Sequence, residues 1–158
     1  MKLASLFISS LLGICLLAVG CSTVPKATGV TVTVTSIRPV DDSSPVATRA
    51  IMTLRFSSEN VNALGFTSTS HSLFLNGRYV GKAENTSPIG LTPQGSATQD
   101  VTLQLEKPEI VRQLLSVSDD AHYRLESVLF YTDDDAKVRV KTAADGKIDL
   151  HGLEPAAR

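Results

Sequence analysis

Two cysteines, three histidines and a run of three aspartates are the side chains here whose types could do chemistry, and their spacing narrows what each can do. A thiol can be acylated, oxidised or made a metal ligand, but Cys15 lies inside an apolar run and Cys21 at its end, so neither is placed as half of a folded pair. His71, His122 and His151 show no His-x-x-x-His or Glu-x-x-His spacing, which would set two ligands on one helix face. Each is expected as a surface or strand histidine. Asp133-Asp134-Asp135 gathers carboxylates as a calcium site needs, yet lacks the glycine and distal glutamate of an EF-hand loop, and is expected as a charged hairpin turn. Asp41-Asp42 and Asp119-Asp120 read as solvated loop pairs. No serine stands in Gly-x-Ser-x-Gly, and no glycine-rich phosphate loop is present. The reading therefore assigns no catalytic residue, no cofactor and no metal site, and the chain is expected not to be an enzyme.

Cys21 is the residue left with a chemistry. Lys2 gives a positive start, Leu3 to Val19 are mostly apolar, and the run stops at Gly20-Cys21-Ser22, the three regions of an export signal. Broken by Ser5, Ser9 and Ser10, the run is shorter than the roughly 20 apolar residues of a spanning helix. Ala18-Val19-Gly20-Cys21 resembles a bacterial lipobox, with Ala18 where the commonest residue is Leu. The resemblance implies that residues 1–20 are a signal peptide cleaved between Gly20 and Cys21, and that the Cys21 thiol carries lipid. Residues 21–29 would then be a lipidated tether, and the membrane a partner through Cys21. It implies a place in the bacterial cell envelope, and Ser22 fits sorting to the periplasmic face of the outer membrane. Several acyl chains hold stably where one holds weakly. From Ser22 to Gly29 the tether reaches about 26 Å at full extension, which keeps the following domain at the membrane.

Removing 20 of the 158 residues leaves 138, one ordinary domain with room for a core. It holds no thiol pair to oxidise, so its stability cannot rest on disulfides. Without Lys2, 14 Lys and Arg face 16 Asp and Glu, a net of −2, and composition shows no basic footprint for nucleic acid or anionic lipid. No nucleic-acid partner is expected. Val, Leu and Thr are plentiful and Trp is absent, which favours a β-rich globular domain.

The elements that would position any site follow from period-2 patterns. Val30, Val32 and Val34 alternate with Thr31, Thr33 and Thr35, and Ala50, Met52, Leu54 and Phe56 share one face of a strand over 47–57 with Ile51 on the other. Glu59 to Gly65 reads as a loop. A strand over 66–75 ends at Asn76-Gly77, a two-residue turn into Arg78 to Lys82. Val101, Leu103 and Leu105 mark another strand. Lys107 to Leu115 is the one helical segment, with Pro108 near its start and Ile110, Val111, Leu114 and Leu115 along a face. Strands are expected over 123–131 and 137–142, the latter with Val138 and Val140 inward and Lys137, Arg139 and Lys141 outward. Asp145-Gly146 reads as a turn into a last short strand through Ile148 and Leu150. About seven strands and one short connecting helix predict an all-β, two-sheet antiparallel sandwich over 30–153, followed by a tail at 154–158.

In order along the chain, Leu54-Arg55-Phe56, Asn60-Val61-Asn62, Leu73 to Gly81, Gly95 and Val101 to Leu105 resemble the late embryogenesis abundant type 2 family, also called the water stress and hypersensitive response (WHy) domain. Val61 departs from it, because the family usually has Pro between the asparagines. The family positions are the turn residues Asn60, Asn62, Asn76 and Gly77, and 123–129 and 146–150 resemble its closing strands. The resemblance implies a fibronectin-like sandwich without catalytic residues and a protective role during drying, through transient protein clients. The alternative is a structural or adaptor lipoprotein that docks an envelope protein complex or handles lipid.

Overall fold

A strand of alternating valine and threonine can keep only one face dry, and the period decides which. In the first strand, β1 (Val30–Pro39), Val30, Val32 and Val34 are all buried. After Val34 the register against the next strand shifts, Thr35 and Ser36 are both exposed, and burial resumes at Ile37. This bulge inserts one residue and moves the apolar positions to the other parity. The structure, a computed structural model, describes residues 29–40, 48–133 and 136–150.

Along the chain follow β2 (Arg49–Ser58), β3 (Leu64–Phe66), β4 (Ser68–Leu75), β5 (Arg78–Asn85), β6 (Ile89–Leu91), β7 (Ser96–Leu105), α1 (Pro108–Leu115), β8 (Asp120–Asp133) and β9 (Ala136–Asp149). The described residues are thus all-β with one short helix. In β2 the expected face, Ala50, Met52, Leu54 and Phe56, is wholly buried, while Ile51 on the opposite face is half-buried. The strand expected over 66–75 is two strands. Thr67 parts them, its N–H and its hydroxyl both donating to the Phe130 carbonyl at 2.7 and 3.2 Å. This break frees Leu64 to Phe66 to pair with β6, a strand too short for periodicity to announce.

Seven strands form one antiparallel sheet in the order β1-β2-β7-β5-β4-β8-β9, and β3-β6 form a second, small one. The expected division into two stacked sheets is not what the ladder records, because hydrogen bonding passes from β7 to β5. That joint is narrow, running only from Gly81 opposite Leu105 to Ala83 opposite Leu103. It depends on Gly81, since a Cβ there would overlap the Gln104 carbonyl. At the other limit β1 and β9 pack against each other, so the sheet curls into a nearly closed barrel around one core. Across that seam the Val34 N–H donates to the Tyr123 hydroxyl of β8 at 3.3 Å.

The turn expected at Asp145-Gly146 is absent, and β9 runs through both residues opposite Arg124 and Tyr123. Gly146 serves another purpose. A Cβ there would lie 2.7 Å from the Tyr123 ring, so the missing side chain lets that ring lie flat across the strand toward β1. The single long hairpin β8-β9 thereby replaces three shorter strands. Helix α1 begins with Pro108 at its N-terminus and Glu109 in the first turn, buries Ile110 and Val111, and sets Leu114 and Leu115 against the core. It matches the expected helix within a residue.

Candidate functional site

Strand β4 carries Thr69, His71, Leu73 and Leu75 at alternate positions, so all four point inward. Its neighbour β8 places Ser127 directly opposite His71. The result is a polar cluster in an apolar core. His71 Nδ1 lies 2.8 Å from the Ser127 hydroxyl and Nε2 lies 2.9 Å from the Thr69 hydroxyl. The Phe56 ring meets the imidazole edge-on, with centroids 6.0 Å apart.

Burial strips water from the charged form, and it pushes the His71 pKa down from 6.5 to about 4. The imidazole is therefore neutral near pH 7, with one nitrogen donating and the other accepting. Serine and threonine hydroxyls can each do either, so both ring nitrogens are satisfied whichever tautomer forms.

A serine hydroxyl at this distance from an imidazole is the arrangement of a nucleophile and its base. Two observations separate this cluster from a catalytic one. The ring nitrogen that would need an orienting carboxylate faces a threonine instead, and the ring is 0% exposed with Ser127 at 2%. An acyl substrate would have to displace Phe56 and the β4-β8 ladder to reach it. The cluster is built to satisfy a buried polar side chain, and chemically it can hold that ring neutral and in place. Sequence spacing missed Thr69 and Ser127 as its partners. The strand period could have shown His71 to be inward, because it shares parity with Leu73 and Leu75.

Three of the four turn positions singled out from sequence, Asn60, Asn76 and Gly77, do structural work, at opposite ends of the barrel. Asn76 and Gly77 both have positive φ, 46° and 77°, and close the β4-β5 hairpin as expected. Asn76 does more than turn the chain. Its N–H donates to the His122 carbonyl at 2.7 Å and its side-chain oxygen accepts the His122 N–H at 2.9 Å, which fastens the hairpin to β8. At the other end, the Asn60 N–H and side-chain amide both donate to the Ser58 hydroxyl, and the Asn60 carbonyl accepts the Gln94 N–H. The Glu59 N–H donates to the Gly29 carbonyl nearby, so the loop clasps the point where the chain enters β1. Asn62 is exposed beside exposed Val61.

Among the described residues no three His, Cys, Asp or Glu side chains gather as a metal site would require. Asp134 and Asp135 of the candidate calcium cluster, His151, and the lipidation position Cys21 with Gly20 lie outside the described residues. His122 is an exposed strand residue of β8. On the outer face of β1-β2-β7, Asp100 accepts from the Thr53 hydroxyl at 2.6 Å and from Arg38 at 2.9 Å. These two bonds hold its carboxyl below the usual range.

No family profile and no curated protein matches the chain. Solved structures do. A protein of Arabidopsis thaliana whose structure was determined in solution is 16% identical, with a TM-score of 0.53 over 79% of this chain and 81% of that one. At that identity the likeness concerns the fold. A protein provisionally described as late embryogenesis abundant is 16% identical with a TM-score of 0.43, covering 92% and 84% of the two chains. An Archaeoglobus fulgidus protein is 12% identical with a TM-score of 0.47, covering 78% and 97%.

Proposed function

We propose that this chain is a non-enzymatic lipoprotein of the bacterial envelope, anchored through lipidated Cys21. Its β domain, of the late embryogenesis abundant type 2 kind and sandwich-like, protects partly unfolded proteins during drying and related stress. The observation that carries the reading is the order of the family-like pieces. Leu54-Arg55-Phe56, the Asn60 loop, the Asn76-Gly77 hairpin and the Val101 to Leu105 strand fall on β2, the loop after it, the β4-β5 turn and β7, each with a defined role in holding the barrel together. The sealed state of the His71 cluster supports the non-enzymatic part, since its serine has no open approach. Protection would then come from the outer surface of the barrel, by reversible contact.

The test is aggregation of an enzyme dried or heated with the purified domain. Suppression greater than that given by an equal mass of inert protein is expected, and equality would count against the reading. Crosslinking in intact envelopes under normal and drying conditions adds the second arm. Many weakly held clients are expected, whereas one stoichiometric partner would replace client protection with an adaptor role.

A further inference from the structure

The outward positions at the start of β9 are Lys137, Arg139 and Lys141, all exposed. Alternate residues of a strand stand about 6.7 Å apart on one face, so the three cations form a straight row about 13 Å long. Opposite them on β8 stand Thr132, Phe130 and Val128, the last two half-buried, and beyond these on β4 lie Ser68 and Ser70. The row is therefore flanked by an apolar step and by uncharged hydroxyls. Of the outward acids on this face, Glu126 is engaged with Arg124 at 2.9 Å and Glu84 with Lys82 at 3.7 Å, and Asp145 stands four residues along β9 from Lys141, opposite Arg124 and two residues from Lys147. No acid of the described residues pairs with the row. Among the described residues, a chain of near-neutral total charge thus carries a patch of three positive charges at the start of β9.

We propose that this row docks on the anionic lipid headgroups of a bilayer, laying the barrel on its side against the membrane. The charge of the row complements a negatively charged surface. Its place in the fold agrees. In a sheet antiparallel throughout, β1 and β9 start at the same end, so Lys137 stands at the end where the chain enters. This orientation rests on the lipid anchor proposed above, which would hold that end within the reach of the short tether. A weak electrostatic contact then becomes effectively intramolecular. One acyl signal combined with a basic patch is a known route to stable attachment.

The test avoids the anchor altogether. All described core residues lie between Val30 and Leu150, so a chain beginning at Ser22 keeps every one of them and has no Cys21. It is sedimented with phosphatidylcholine vesicles carrying roughly a third phosphatidylglycerol, and with pure phosphatidylcholine vesicles, at low and high salt. Binding to the anionic vesicles and release by salt are expected. Combining Lys137→Gln, Arg139→Gln and Lys141→Gln should weaken it about a hundredfold, at roughly fivefold per cation. The pair Lys137→Arg and Lys141→Arg should retain it, with thermal melts showing each variant folded. The competing acids precede the row in sequence, so Asp133→Asn, Asp134→Asn and Asp135→Asn together should tighten binding, and weaker binding would overturn the proposal. Equal binding to neutral vesicles, an unaffected triple Gln variant, or capture of polyglutamate in place of vesicles would also overturn it. None of these results bears on lipidation, which is read separately from the membrane fraction of the full chain.

Discussion

The buried imidazole makes a sharp prediction, because its protonation must be linked to unfolding. In the folded state burial holds the His71 pKa at about 4, and in the unfolded chain it returns to 6.5. Above pH 6.5 the ring is neutral in both states and the linkage contributes nothing. As the pH falls below 6.5 the unfolded chain takes up a proton that the folded one refuses, so stability declines. The decline continues to about pH 4, below which both states are protonated. At about 1.4 kcal/mol per pH unit the span amounts to about 3 kcal/mol, a large part of what a domain of this size has. The assay is urea unfolding at intervals from pH 7.5 down to pH 4.5, comparing the chain from Ser22 with His71→Gln. Glutamine offers a donor and an acceptor to Ser127 and Thr69 but cannot gain a proton. With a urea slope of about 2 kcal/mol per molar, the native midpoint should fall about 1 M further than that of the variant over this range. Carboxylates that titrate in the same window affect both proteins and cancel in the difference. Parallel curves would refute the reasoning. If the variant does not fold, the ring resonances of the native protein give the answer, since a His71 that protonates near pH 6.5 in the folded state refutes it equally.

Three further substitutions probe the frame around that ring. Gly81→Ala drives a methyl into the Gln104 carbonyl at the narrow β5-β7 joint, so a loss of about 3 kcal/mol or failure to fold is expected, read by thermal melting against a well-tolerated Gly90→Ala control. Tyr123→Phe removes the hydroxyl that receives the Val34 N–H across the β1-β9 seam, and should cost about 1 to 2 kcal/mol in urea unfolding with the ring packing unchanged. Cys21→Ala should abolish incorporation of labelled fatty acid and shift the protein out of the membrane fraction. Its melting temperature should stay the same, because all described core residues follow Gly29.

Where a residue's role is local, the sequence declared it. Val30, Val32 and Val34 alternate with threonine and are buried, Asn76-Gly77 turns with positive φ at both positions, and Pro108 opens the helix. Each of these follows from backbone preference or from a face that must be dry. What could not be read is set by residues distant in sequence. Asp145-Gly146 has the composition of a turn, yet the glycine is there because Tyr123, 23 positions earlier, needs the space. The joint at Gly81 is likewise dictated by Gln104. The same holds for charge: a net of −2 hides the row at Lys137, Arg139 and Lys141, because a sum over composition cannot register which side of a strand the cations share.

The polar cluster also answers a question that hydrophobic alternation leaves open. Slipping β4 against β8 by one residue would turn every apolar side chain outward, so the core itself forbids that slip. A slip of two residues leaves every inward side chain inward, and burial alone hardly distinguishes it from the native register. It does move His71 from Ser127 to Leu125 or Leu129. The imidazole then keeps only Thr69 on its own strand, while Ser127 comes opposite Leu73 in one slip and opposite Thr69 in the other. Each unsatisfied buried group costs about 1 to 3 kcal/mol, enough to make the native pairing the one that is populated. On this argument Ser127→Ala and His71→Leu made together should be nearly neutral for stability while loosening register. The effect would be visible as doubled backbone amide signals in β4 and β8, and not in β2 or β7. Single, sharp signals throughout the double variant would show that the hairpin clamp from Asn76 to His122 suffices to fix the pairing by itself.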